Sequence, residues 1–270
     1  MTILVDPEKP LNFRYDFIFD RCRAIRQEVV MQNFSCAKTL KLLEPIVMFL
    51  SFSMHRLNGS KLSAFDPKIC LQHLQECLLR CLTCYDEIER LDKKSISSER
   101  RVVIEGIYFM LNMEDASALF RAIRLDAKLK SSFVIRQSIK ICLSFHLKNF
   151  YKILKEQQEL PHLICAIAAL KLSRFRKEIL HAFSIAYNSK NLSVPIAFLQ
   201  RSLIYDEIKF LLRDLIDLGI LDNSEENSTK VIFNRTKFDS SKSISNTSQQ
   251  FVEEKLRDYH LPDLILLKTV

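Results

Sequence analysis

Glycine is almost absent from this chain, and its scarcity constrains the fold more than any other feature. Only three of the 270 residues are glycine: Gly59, Gly106 and Gly219. Phosphate-binding loops need several nearby positions without a Cβ atom, so P-loop and dinucleotide-binding enzymes are excluded. The chain has only seven prolines, and its long stretches of Leu, Ile, Lys, Arg, Glu and Gln favour helices joined by short turns. The sequence therefore predicts an all-α protein.

Apolar residues recur at the spacing of helices along most of the chain. Hydrophobic residues make up 48% of it and charged residues 27%, so a large core is expected and disorder is excluded as the main state. Ile18, Cys22, Ile25 and Val29 mark one face of a first helix over residues 14–33. Short connections make consecutive helices antiparallel, so we expect stacked helix pairs without a repeat of fixed period. Further helices are predicted at 36–55, 66–91, 100–112, 115–125, 131–156, 160–172 and 174–188.

The pattern changes after residue 188 and predicts a winged helix. Pro195 stands in the first turn of a short helix, and residues 205–218 form a second helix that Gly219 ends. A two-stranded hairpin is expected next. Two helices followed by a hairpin are the order of a winged helix. The two predicted strands and their polar turn are residues 220–221, 231–234 and 222–230.

We therefore expect three parts in the chain. A helical-repeat domain covers residues 12–190, and a winged-helix domain covers residues 191–238. The last part, residues 239–270, contains a Ser-rich linker, a final helix near 249–259 and an apolar tail. The tail must be buried, on this chain or on another. In a protein-assembly scaffold, the tail and the winged helix would be docking surfaces for partners.

The excess positive charge is concentrated in residues 121–155. The net charge is +8, and this segment contains nine basic residues and a single acid, Asp126. Clustered positive charge attracts nucleic-acid phosphates or an acidic partner. The alternative is a solvated helical face. The candidate contact residues are Arg121, Arg124, Lys128, Lys130, Arg136, Lys140, Lys148, Lys152 and Lys155.

The two parts of the predicted winged helix differ in charge. Its second helix has four acids against two bases, which would repel phosphates, so sequence-specific recognition of DNA is not expected. The wing has four bases against one acid and is the better candidate for contact with RNA or DNA. The alternative is that the wing packs against another winged helix. The basic residues of the wing are Lys230, Arg235, Lys237 and Lys242.

The cysteines and histidines give no catalytic set. Cys77, Cys81 and Cys84 have the spacing of ligands to iron–sulfur clusters that cleave S-adenosylmethionine. On a helix, however, Cys70 and Cys84 would lie about 21 Å apart, too far to share a metal. We expect reduced cysteines packed in the core, since the N-terminus has no export signal. We expect no enzyme, metal or cofactor and, without an apolar segment of about 20 residues, no membrane partner.

Three arginines lie close together near the N-terminus, on a helix with an apolar face. Exposed, Arg21, Arg23 and Arg26 would bind anions. The alternative is that they pair with neighbouring helices or with nearby carboxylates, which would fix the register of the helix. The nearby acids are Asp16, Asp20 and Glu28.

This segment resembles the opening motif of the suppressor-of-actin-three/GANP family, and the resemblance extends over residues 12–238. The motif is Asp-Phe, Arg-x-Arg, Ile-Arg, an acid and a later Gln. A second match, at residues 143–150, is similar to the family's Gly-Asn helix junction, with Lys148 and Asn149 at the two positions. A third match is a series of short stretches, the first at residues 174–180 and the last at residues 231–233. The motif residues here are Asp16, Phe17, Arg21, Arg23, Ile25, Arg26, Glu28 and Gln32.

The resemblance implies a non-enzymatic scaffold with PCI/TPR-like helical repeats and a PCI-like winged helix. That winged helix pairs with the winged helix of a partner, in some cases with a small acidic protein alongside. Lys230, Arg235 and Lys237 lie where such a pair could touch RNA or DNA.

The resemblance also bears on the cellular process. Large members couple transcription to messenger RNA export at the nuclear pore, and a short member is tied to centrosome duplication and spindle assembly. This chain resembles the short kind, because it lacks Phe-Gly repeats, an acetyltransferase-like region and a long extension. A protein of the nucleus and cytoplasm, acting at the centrosome or spindle, is therefore expected. A role in export with low-specificity nucleic-acid binding is the alternative.

Overall fold

The computed structural model describes residues 8–58, 65–91, 98–222, 228–244 and 249–268. Within these ranges, the chain forms fourteen helices and two short strands, which confirms the all-α prediction. The first ten helices are α1 (Leu11–Met31), α2 (Cys36–Leu57), α3 (Pro67–Leu91), α4 (Ser98–Leu111), α5 (Ala116–Arg124), α6 (Ala127–Ser131), α7 (Phe133–His146), α8 (Phe150–Gln157), α9 (His162–Ala169) and α10 (Leu172–Ala186).

Helix α2 lies at the centre of the molecule. All nine residues from Ile46 to Met54 are buried, as expected of a helix that packs on every side. Helices α1, α3, α4 and α9 pack against it. Helix α3 runs antiparallel to α2, since the Cys70 thiol meets the Leu50 carbonyl near one end of the pair and Cys36 meets Glu87 near the other. The expected antiparallel packing of consecutive helices is confirmed for this pair.

The single helix predicted over residues 131–156 is wrong. The helix is interrupted at Lys148, between α7 and α8. The φ of Lys148 is 56°, in the left-handed region that favours glycine. The N–H groups of Lys148 and Asn149 donate to the carbonyls of Phe145 and Ser144, which closes α7. The Asn149 side chain then accepts from the Lys152 N–H and begins α8. A helix junction therefore lies where the family resemblance implied one.

The chain continues from α10 into a small winged helix. Helix α10, strand β1, helices α11 and α12, and strand β2 follow in the helix–strand–helix–helix–strand order of that fold. The strands are antiparallel, with Val194 opposite Val231. The predicted two-stranded sheet is confirmed. Its elements are β1 (Ser193–Pro195), α11 (Ile196–Ser202), α12 (Ile208–Asp217) and β2 (Lys230–Ile232).

The prediction of the first strand at residues 220–221 is wrong, because the observed strand is β1. The N–H groups of both residues donate to the Leu215 carbonyl, so they close α12 and are not used for strand pairing. Gly219 permits this cap with a φ of 71°. Of the predicted turn at 222–230, residues 223–227 lie outside the described part of the chain.

The C-terminal segment folds back on the body through α13 (Gln250–Arg257) and α14 (Leu261–Ile265). Helix α13 packs on α9, and α14 packs on α2. Leu264, Ile265 and Leu267 are buried, so the apolar tail is covered by this chain. The expectation that the tail is a docking surface for partners is therefore wrong. None of the described helices is long and apolar enough to cross a membrane.

Candidate interaction surfaces

The cysteine stripe of α3 belongs to the core. Cys70, Cys77, Cys81 and Cys84 are all buried, and all eight cysteines are free thiols. Burial raises the pKa of Cys70 and of Cys77 to about 12, so both thiols stay protonated at neutral pH. The expectation that the stripe packs as core is confirmed. Among the described residues, no group of three or more His, Cys, Asp or Glu side chains is arranged to hold a metal ion.

Arg121 differs from the rest of the basic set, because it belongs to a partly buried ion-pair network. Its guanidinium lies 2.6 Å from Glu105, which is fully buried, and 3.0 Å from Asp86. The neighbouring Arg101 joins Asp86, Glu89 and Glu105. These contacts occupy the charged groups of Arg121 and tie α5 to α3 and α4. Lys130 is also engaged, because its ammonium donates to the Ile123 carbonyl.

The remaining cations of residues 121–155 form what we name the basic surface. All seven are exposed, and none pairs with a carboxylate of the described residues. They lie on α5 to α8 and in the turn before α8, and α7 packs against each of the other three helices. Exposed Phe120, Phe133 and Tyr151 are carried by the same helices. The basic surface comprises Arg124, Lys128, Arg136, Lys140, Lys148, Lys152 and Lys155.

The predicted contacts of the wing are exposed on and after β2. Lys230 and Arg235 point outward, beside an Ile232 side chain that is 51% exposed. Lys237 pairs with Asp222 at 2.9 Å. This part of the winged helix therefore presents a small surface of mixed apolar and basic character.

Several acidic residues in and before the second helix of the winged helix make contacts within the protein. Asp214 is buried, accepts a hydrogen bond from the Tyr205 hydroxyl, and has a pKa raised by its burial. Asp206, just before α12, accepts from the Gln250 N–H, and Glu207 pairs with Lys209. A count of charges along the sequence therefore overstates the negative charge that this helix shows to solvent.

Arg176 on α10 is a buried residue that the sequence analysis missed. Its guanidinium donates to the carbonyls of Leu203 and Ile204 and to the Gln249 side chain. It also lies 3.8 Å from the centre of the Tyr205 ring. Arg176 therefore holds together α10, the turn between α11 and α12, and the C-terminal segment. It falls inside the third stretch of family resemblance, which was the only signal for it.

The arginines of the opening motif lie on α1, and their environments differ. Arg26 pairs with Glu76 of α3 at 2.8 Å, which is pairing with a neighbouring helix. Arg21 and Arg23 are exposed, and Arg21 lies 5.7 Å from the centre of the Phe17 ring. Asp16 is exposed as well, and Glu28 accepts from the Gln32 amide.

A groove of about 660 Å³ opens between α1 and α3 beside the motif arginines. Arg23 and Arg26 line one side, and His73, Glu76 and Arg80 line the other. The α3 residues were not predicted as a site, because the spacing of the cysteines is the most prominent pattern of that helix. Their spacing of three and four residues was the signal that they share a face.

The architecture defines a class of protein: a helical-repeat scaffold that closes in a winged helix. A sequence model of the SAC3/GANP family matches residues 1–220, and the chain belongs to this family, as the resemblance implied. The family is of the non-catalytic scaffold type. The chain is 27% identical over 206 residues to Protein xmas of Drosophila melanogaster. The match covers 74% of this chain and 10% of that protein, so the chain spans about a tenth of this curated relative.

Proposed function

We propose that this protein is a non-enzymatic scaffold that assembles protein partners in centrosome duplication, spindle assembly and mitotic progression. Family membership supports a scaffold, and the observation that carries the proposal is the winged helix. In the described residues, β2 pairs only with β1, so one of its edges can receive another strand. Exposed Ile232 and Lys230 lie on this strand. The partner proposed is a PCI-type winged-helix protein, with a small acidic protein alongside.

The proposed site of action is the centrosome and spindle, with the protein distributed between nucleus and cytoplasm. Affinity purification of the tagged chain at endogenous level, with identification of bound proteins, tests this. Centrosomal components and a winged-helix protein are the expected partners. Recovery of export factors without centrosomal components would assign the scaffold to messenger RNA export instead.

The contact with the partner is tested by Ile232→Asp, which places a charge on the exposed strand. We expect this variant to lose the winged-helix partner, because a carboxylate would be desolvated at the interface. Ile69→Asp is the matched control, since Ile69 is 47% exposed on α3 and we expect it to keep the partner. Equal recovery with Ile232→Asp and wild type would contradict a role for this strand.

A second candidate function is low-specificity binding of nucleic acid in a transcription-coupled export complex. The basic surface favours it, because seven exposed cations lack a carboxylate partner within the described residues. Binding of single-stranded RNA, measured by fluorescence anisotropy, should then weaken steeply as salt rises. Reversal of Lys148, Lys152 and Lys155 to Glu should abolish it. Unchanged affinity in that variant would remove this candidate.

A further inference from the structure

Side chains of α1 and α3 meet across the groove between the two helices. Phe19 and His73 are in ring contact, with 5.3 Å between ring centres, and Arg26 reaches Glu76. Helix α2 lies beneath, where its Leu43 forms part of the floor. The lining on α1 runs from Arg23 to Met31, a length of about 12 Å or two helical turns.

The groove has an apolar floor and an apolar end. Val29, Leu43 and Cys77 are buried at its base. Val30 and Met31, at the end of α1, are 80% and 70% exposed. Large apolar side chains left this open to water mark a surface that gains stability when another apolar group covers it.

The rim of the groove is positively charged. Three arginines line it, and the single acid in the lining, Glu76, is bound to Arg26. Arg23 and Arg80 are exposed and pair with no carboxylate in the described ranges. His73 Nδ1 lies 3.5 Å from Glu76. A ligand that places carboxylates against Arg23 and Arg80 would therefore meet free donors.

We propose that this groove binds a helical segment of a partner protein that carries apolar side chains on one face and acidic side chains beside them. Apolar residues at helical spacing would cover Val30 and Met31, and the carboxylates would reach Arg23 and Arg80. The lining contains no aromatic side chain other than His73, so it offers no stacking platform for bases. A second copy of the chain would bring two arginine rims together, which like-charge repulsion opposes. The inference rests on the proposed scaffold function and adds a second docking site to it.

The test uses the full chain and a fluorescein-labelled helical peptide of roughly 15 residues, with Leu on one face and Glu at the flanking positions. A second peptide has Gln in place of every Glu. Binding is measured by fluorescence anisotropy with wild type, with Arg23→Glu/Arg80→Glu, and with Lys68→Glu/Arg90→Glu. The last variant has the same change of charge at exposed positions of α3 outside the groove lining and is the matched control.

We expect wild type and the control variant to bind the Glu peptide with similar affinity. The groove variant, and the Gln peptide with wild type, should each bind about tenfold more weakly. Val30→Ser/Met31→Ser, which alters only exposed side chains, should also weaken binding. All variants should melt like wild type by circular dichroism. If the charge reversals prevent folding, the Val30→Ser/Met31→Ser result and the two peptides decide the outcome.

Several outcomes would overturn the proposal. They are failure of wild type to bind the Glu peptide, equal binding of the two peptides, and equal loss in the control variant. Displacement of the peptide by single-stranded RNA would make the groove a nucleic-acid site, and a dimer lost only in the groove variant would assign it to a second copy. If Arg23→Glu/Arg80→Glu loses the peptide but still recovers the winged-helix partner, the scaffold function is independent of the groove. Failure of wild type to recover the winged-helix partner would instead refute the scaffold function.

Discussion

Five of the described residues have a positive φ, and two of them, Lys148 and Gly219, show how such a residue ends a helix. Lys148 ends α7 with a φ of 56°, and Gly219 ends α12 with a φ of 71°. Both positions serve the same purpose, because each turns the chain so that its N–H groups reach the last carbonyls of a helix. Glycine adopts this conformation without strain, whereas a residue with a Cβ atom loses about 1–2 kcal/mol.

Lys148→Gly is therefore expected to stabilise the protein. Relief of backbone strain outweighs the larger entropy of glycine in the unfolded chain, for a net gain of about 0.5–1 kcal/mol in the free energy of unfolding. Urea denaturation followed by circular dichroism measures it. Lys152→Gly is the control, and we expect it to destabilise α8, because Lys152 lies inside a helix.

Gly219→Ala is expected to have the opposite effect. A Cβ atom there would lie 2.6 Å from the Lys237 carbonyl oxygen, and φ would be unfavourable as well. We expect a loss of at least about 2 kcal/mol in the same denaturation measurement. A change below about 0.5 kcal/mol would mean that the cap and the segment after β2 rearrange at little cost.

At the scale of the element, the C-terminal helices cover two histidines of the body. The His55 ring bonds to Glu253 of α13 at 3.1 Å, and the His162 ring packs against Tyr259 with 4.7 Å between centres. Burial, with a smaller contribution from Lys255, lowers the pKa of His162 to about 4. The docked segment therefore favours the neutral imidazole.

Acid is expected to loosen this segment. The pKa of His162 is lower in the folded protein than in the unfolded chain, near 6.5, so its contribution to stability is present above pH 6.5 and is lost as the pH falls toward 4. The loss amounts to about 3 kcal/mol, measured as the unfolding free energy against pH. His162→Phe should remove this part of the pH dependence. His146→Phe, at an exposed position, should not.

The helices and strands also show which features local sequence patterns can predict. Helical periodicity located α2, α3 and α10 to within a few residues, because helix hydrogen bonds join residues four apart. Periodicity did not predict the helix end at Lys148, which only the family resemblance indicated, since no glycine or proline marks it and apolar residues continue through it. The first strand was also misplaced, because pairing of β1 with β2 joins segments separated by two helices.

At the scale of the whole molecule, Arg176 connects the helical body to both later parts of the chain. Its acceptors lie 27, 28 and 73 residues further along the sequence. Because its side chain is buried, its loss would remove the donor to the carbonyl oxygens of Leu203 and Ile204. One side chain therefore contributes to the integrity of three segments.

Arg176→Met is expected to lower the free energy of unfolding by about 3 kcal/mol. The methionine fills part of the volume but cannot donate to the carbonyl oxygens of Leu203 and Ile204. Arg174→Met on the same helix is the matched control, because Arg174 is 52% exposed and pairs with Glu114 at the surface, and we expect a change below about 1 kcal/mol. Equal effects in urea denaturation would contradict the role given to Arg176.

The sequence by itself determined the all-α class, most helices, the burial of the cysteine stripe and the family, since each depends on residue type and short-range spacing. Only the tertiary structure decided that Arg121 is held in an ion-pair network, that the apolar tail covers α2, and that Arg23 and Arg80 face one groove. These features join side chains that are distant in the sequence. Their distances and burial follow from how the helices pack, which no local pattern specifies.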